Sequence, residues 1–154
     1  MPNDYQTLRL AEFLPYQLSI ASNAVSDRIA QGYRRQFGLK IPECPIMAVL
    51  GDAGGLTQRD LAAATVMDKV AVNRACKALS DRGLLAREPN AADGRSHHLA
   101  LTDEGRAMYE RIVPLAREME QRLFSAFTDA ERTTFARLLA RVREQAGEPA
   151  PDIA

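Results

Sequence analysis

The chain has 154 residues, 46% of them hydrophobic and 26% charged, a length and balance that suit one globular core and exclude a disordered acidic tail, a collagen-like repeat or a disulfide scaffold. Twenty basic residues meet 20 acidic ones, so no uniform field advertises nucleic acid or an anionic membrane, and any such site must be local. Ala (25) and Leu (17) far outnumber Val (7) and Ile (6), which favours helix; two isolated cysteines, no leader-like opening and no apolar run of ~20 residues point to a cytoplasmic protein with reduced thiols and no membrane partner.

Leu10, Leu14, Leu18, Ala21, Val25 and Ile29 recur at spacings of 4, 4, 3, 4 and 4, the stripe of one long helix with Pro15 in its first turn and an end near Phe37-Gly38. Ile41-Pro42-Glu43 opens a short helix carrying Ile46, Val49 and Leu50, closed by Gly51 and the Gly54-Gly55 pair. Thr57 and Asp60 resemble a capping box ahead of a brief helix at Leu61-Ala62, and Thr65 to Asp68 makes a turn. Asp68 then caps a helix from Lys69 to about Arg82, with Val72, Ala75, Cys76 and Leu79 inward and Gly83 at its end.

From Leu84 the period changes to strand (84–88), turn-rich tip (89–95) and strand (96–101), a loose hairpin. Thr102 caps a helix whose stripe is Met108, Ile112, Ala116, Met119, Leu123 and Phe127, with a kink expected at Pro114. Thr128 and Glu131 box the start of a last helix carrying Phe135, Leu138, Leu139 and Val142, which Gly147 and Pro149 end. The expected fold class is mainly α: a winged helix-turn-helix with long N- and C-terminal dimerisation helices and a two-stranded β wing.

With Val72, Ala75, Cys76 and Leu79 inward, Lys69, Val70, Asn73, Arg74 and Lys77 face out, as a major-groove reader requires. Arg74 and Asn73 suit bidentate bonds to guanine and adenine, Val70 and Ala71 suit thymine methyls, and Lys69 and Lys77 suit phosphates. Between Lys69 and His98 six bases (Lys69, Arg74, Lys77, Arg82, Arg87, Arg95) face three acids (Asp81, Glu88, Asp93), so the positive charge is local. An ordinary solvated helix face is the plain alternative, as is a winged helix that binds a protein partner and no DNA.

Other features carry less. His97 and His98 are adjacent on a strand, so they point to opposite faces and do not suit one metal ion. Cys76 falls in an inner stripe, whereas Cys44 near a helix start has the setting of a lowered thiol pKa and of oxidant sensing, set against a plain structural cysteine. Neither a paired-carboxylate constellation nor a phosphate-binding glycine loop is present, so no enzymatic step and no cofactor are expected. The stripes of the terminal helices exceed what one winged helix covers, which points to a two-fold interface between copies. Beside it, Tyr16, Ser19, Asn23, Met47 and Met108 are candidates to line an effector pocket of apolar walls and a few polar groups.

The run Leu56-Thr57-Gln58-Arg59-Asp60-Leu61-Ala62, then Met67-Asp68-Lys69-Val70, Arg82-Gly83-Leu84-Leu85-Ala86-Arg87, Asp93-Gly94-Arg95 and Leu99-Ala100-Leu101-Thr102 resembles the MarR (multiple antibiotic resistance regulator) family of transcriptional regulators. That resemblance implies a homodimer, here with a dimerisation region at 1–40 and 102–147, a DNA-binding region at 41–101 and a flexible tail at 148–154. It also implies double-stranded DNA bearing an inverted repeat, repression relieved by a small aromatic or phenolic effector, Arg95 in the minor groove and Asp93 holding the wing. Cys44-Pro45 departs from the aromatic that often follows Ile-Pro-Glu in the family.

Overall fold

The computed structural model describes residues 7–89 and 97–147. Their order is α1 (Leu14–Phe37), α2 (Glu43–Asp52), α3 (Gln58–Thr65), α4 (Lys69–Asp81), β1 (Leu85–Pro89), β2 (His97–Leu101), α5 (Asp103–Leu123) and α6 (Asp129–Ala146). Residues up to Ala116 form one packed unit and those from Arg117 a second. The expected tail at 148–154 lies outside the described residues.

In the first unit α2, α3, α4 and β2 surround a core in which Ile46, Met47, Leu50, Leu61, Val72, Cys76, Leu79 and Leu99 are essentially inaccessible. All four expected inward positions of α4 are buried. The stripe of α1 runs on from Ile29 to Tyr33 and Phe37, and only this lower end joins the core. Leu14 and Leu18 remain 74% and 42% exposed. Leu10 belongs to a separate 3-10 turn, Leu10–Glu12, because the extended Phe13 intervenes before α1.

Local chemistry fixes the helix ends. Thr57 and Asp60 make a complete capping box, and those bonds hold the Asp60 carboxyl below the usual range. Asp68 accepts the Ala71 N–H at 2.8 Å to start α4. Gly83, at φ +75°, ends it with bonds from Gly83 N–H to Ser80 O (2.9 Å) and Leu84 N–H to Leu79 O (3.0 Å), a Schellman closure. Leu84 therefore belongs to the cap, and the first strand begins one residue later than expected.

The α3–α4 turn holds the one described non-glycine residue at positive φ, Val66 at 56°, 76% exposed. A left-handed β-branched residue costs roughly 1–2 kcal/mol. Glycine relieves that strain but adds about 0.4–1 kcal/mol of unfolded-chain entropy. Val66→Gly is therefore expected to raise stability by about 0.5–1 kcal/mol, visible as a melting temperature a few degrees higher. A lower melting temperature would refute the strain.

Gly51 does not close α2. It lies inside the helix, where a Cβ would overlap the Tyr109 ring, and its carbonyl accepts the Arg106 guanidinium at 2.8 Å, so this glycine permits a close helix crossing. The wing strands pair antiparallel with Leu85 opposite Leu101 and Arg87 opposite Leu99. On its other edge Leu99 exchanges two backbone bonds with Leu56, at 3.1 and 2.7 Å, a bridge the period of the sequence does not announce.

Thr102 caps α5 by accepting the Gly105 N–H at 3.0 Å while donating to Gly83 O at 2.6 Å. Pro114 sits inside α5 without ending it. The helix stops at Leu123, so Phe127 is not the end of its stripe. In the second unit Phe127 lies in the following turn and stacks edge-on with Phe124 and Phe135, centroids 5.4 and 5.7 Å away. Arg132 donates to Phe124 O at 3.0 Å, closing the end of α5, and the Thr128/Glu131 box opens α6. On α6 Phe135, Leu138, Leu139 and Val142 are all exposed.

Candidate nucleic-acid interface

Burial of one side of α4 leaves the other to solvent. Lys69, Val70, Asn73, Arg74 and Lys77 are exposed, Val70 to 68%, and Ala71 is half-buried. Asp68, Lys69, Val70, Ala71 and Arg74 line a shallow cleft of about 480 Å³ at the start of the helix. Two bases there, Lys69 and Arg74, outnumber the single acid Asp68, whose carboxylate caps the helix. This surface offers fork-like and point-charge donors beside an apolar contact, the set that meets base edges and phosphates.

Two residues of this region make contacts that the sequence pattern does not show. Gln58, at the start of α3, donates from Nε2 to the Asn73 Oδ1 at 3.5 Å and so directs the Asn73 amide. Arg82 was expected to add to the positive field of the reading face; instead its guanidinium donates to Phe37 O at 2.9 Å and Gly38 O at 3.3 Å, at the opposite end of α4 from Lys69. Asp93 and Arg95 lie outside the described residues.

The five candidate effector contacts do not share one environment. Tyr16, Ser19 and Asn23 stand exposed on α1, and the Ser19 hydroxyl donates to Pro15 O at 3.0 Å within its own helix. Met108 is half-buried against the core. Met47 has no exposed surface and belongs to the core cluster that α2 shares with α3 and α4. Among the described residues no three His, Cys, Asp or Glu side chains converge to hold a metal ion, and no helix is long and apolar enough to cross a membrane.

Cys44 reverses the expectation of a lowered pKa. Burial, and then the neighbouring Glu43 charge, push its thiol up to about 12, while its Sγ–H donates to Lys40 O at 3.4 Å. Glu43 is itself buried and accepts the Lys40 N–H at 3.1 Å. The positive end of a helix is thus outweighed by desolvation and by an acid one residue away. Alkylation of Cys44 in the folded protein should be very slow at pH 8 and rise only toward pH 12. Because the folded value exceeds the unfolded one near 9, folding is favoured fully below pH 9 and this contribution is lost as pH climbs toward 12. Fast labelling of native protein at pH 7 would contradict the assignment. Burial likewise raises the Cys76 thiol.

Comparison with known proteins places this arrangement. A model of the MarR family matches residues 37–96, from the end of α1 to just before β2. The chain is 30% identical over 105 residues to the HTH-type transcriptional repressor Rv2887 of Mycobacterium tuberculosis, covering 68% of this chain and 76% of that one. It is 28% identical over 131 residues to the HTH-type transcriptional regulator PecS of Dickeya dadantii, covering 83% and 76%. Among solved structures, Bordetella bronchiseptica BpsR, whose DNA binding is regulated by 6-hydroxynicotinic acid, superposes with a TM-score of 0.82 at 27% identity over 92% of this chain and 99% of that one. With the winged helix-turn-helix, its flanking long helices and this degree of likeness in hand, the chain belongs to the MarR family of transcriptional regulators.

Proposed function

We propose that this regulator is a cytoplasmic repressor that binds an inverted repeat as a homodimer, with α4 in the major groove and the wing, through Arg95, in the adjacent minor groove. The observation that carries the proposal is the division of α4. Its inner side is sealed in the core, while Lys69, Val70, Asn73, Arg74 and Lys77 present donors and one apolar contact to solvent. In this scheme residues 41–101 bind DNA, while 1–40 and 102–147 supply the interface between copies. A small aromatic effector shifts the spacing of the two winged helices, by analogy with the 6-hydroxynicotinic acid response of BpsR.

The test is a mobility-shift titration with a duplex selected by the protein from a random library. Arg74→Ala is expected to lower discrimination between that duplex and scrambled DNA by about 1–3 kcal/mol, whereas Lys77→Ala weakens both alike. Normal binding by both variants would remove α4 from the groove. Failure of the wild type to select any duplex would favour a winged helix that recognises a protein.

A further inference from the structure

Arg82 is at once the C-cap of α4 and the side-chain cap of another helix. Its own N–H closes α4 on Ala78 O at 3.3 Å. Its side chain forks onto Phe37 O and Gly38 O at the C-terminal end of α1, the negative end of that helix's dipole. Among the described residues these are the two hydrogen bonds that join α1 to the helix-turn-helix. The receiving end is firm. Phe37 is buried in the core with the Arg111 guanidinium 5.3 Å from its ring centre, and Gly38 holds the left-handed turn that aims both carbonyls at Arg82.

We infer that Arg82 is a positioning residue for DNA reading, fixing the axis of α4 to the end of α1 so that the reader follows the long helix as one body. The inference rests on the proposed dimer: if α1 packs on a second copy, the separation of the two α4 helices is transmitted through Arg82. Each winged helix keeps its own groove contacts without Arg82. What is lost is the fixed span between the two. A lysine keeps the charge but not the fork, so it restores the link only in part.

The experiment compares affinity for the selected palindrome with affinity for the same duplex cut to one half-site, for wild type, Arg82→Gln, Arg82→Lys and the core control Ile46→Val. Bivalent engagement gives the wild type a palindrome preference of ~100-fold. Arg82→Gln should cut that preference about tenfold while half-site affinity stays within about twofold, because span and groove contact are separate terms. Arg82→Lys should fall between the two. The control should keep the wild-type ratio at a temperature where all four are folded.

An unchanged ratio in Arg82→Gln overturns the inference, as does an equal fall in Ile46→Val, which would make the effect one of general stability. A fall in half-site affinity with a salt slope flatter by ~0.9 would make Arg82 a phosphate contact and also overturn it. A wild type that is monomeric by light scattering, or indifferent to the second half-site, refutes the dimer itself and the inference with it. That outcome is read on the wild type alone, so the two failures are separable.

Discussion

Gly105→Ala is expected to destabilise the protein by about 3 kcal/mol or more, a large share of the 5–15 kcal/mol that holds a typical domain folded. Gly105 is buried in the first turn of α5. A Cβ there would overlap the Leu84 carbonyl oxygen and lie 3.0 Å from the carbonyl carbon and 3.4 Å from the Leu101 Cβ. The obstacle is backbone that cannot retreat. The Leu84 N–H is bonded to Leu79 O at 3.0 Å, and the Leu84 carbonyl receives the Thr102 N–H at 3.1 Å. Relief would mean opening the end of α4 or the junction of β2 with α5. Gly55→Ala is the matched control: φ is +59° but nothing lies within 4 Å, so only the left-handed penalty of about 1–2 kcal/mol applies. Urea unfolding should rank Gly105→Ala far below Gly55→Ala. Equal midpoints would show that the junction yields more easily than its bonds indicate.

The second large effect concerns spacing. Leu10, Leu14, Leu18 and Ile20 on one side, and Leu138, Leu139 and Val142 on α6, are each between 39% and 74% exposed in a single chain. In the proposed dimer this uncovered aliphatic surface is buried by a second copy, a two-fold axis letting the same faces serve both partners. Two reading helices related in this way fall about 34–36 Å apart, one turn of B-DNA. Inserting roughly five base pairs between half-sites turns the second one to the far side of the duplex. Specific binding should then drop by the bivalent advantage, ~10²–10⁴-fold, toward that of a lone half-site. Insertion of a full turn, about ten base pairs, should weaken it equally if the span is rigid, and less if the helices tilt apart. Binding that ignores both insertions would rule out simultaneous engagement.

How much of this was legible in the sequence depends on distance along the chain. The caps at Thr57, Asp68 and Thr128 and the inner side of α4 follow from residues three or four apart, so pattern and chemistry coincide there. Arg82 reads as one more surface base, because its carbonyl partners are 44 and 45 residues away and a carbonyl leaves no mark on sequence. Gly51 resembles a helix terminator, and only the approach of Tyr109 shows why a side chain is excluded. Met47 and Ile46 are consecutive on a short helix buried on most sides, where periodicity no longer separates core from pocket wall. Cys44 misleads for another reason: helix position suggests a thiolate, whereas burial beside Glu43 decides the outcome.

The bridge between Leu56 and Leu99 also bears on the order in which the molecule assembles. Contacts among α2, α3 and α4 close short stretches of chain, so they form at small entropic expense and early. β2 reaches Leu56 only after the whole of α3, α4 and the hairpin has been laid down between them. Truncating core residues such as Leu61 or Leu79 is therefore expected to slow folding, and weakening the pairing at Leu56–Leu99 to speed unfolding. The Leu56–Leu99 bridge is therefore expected to form after the α2–α4 core and to open before it.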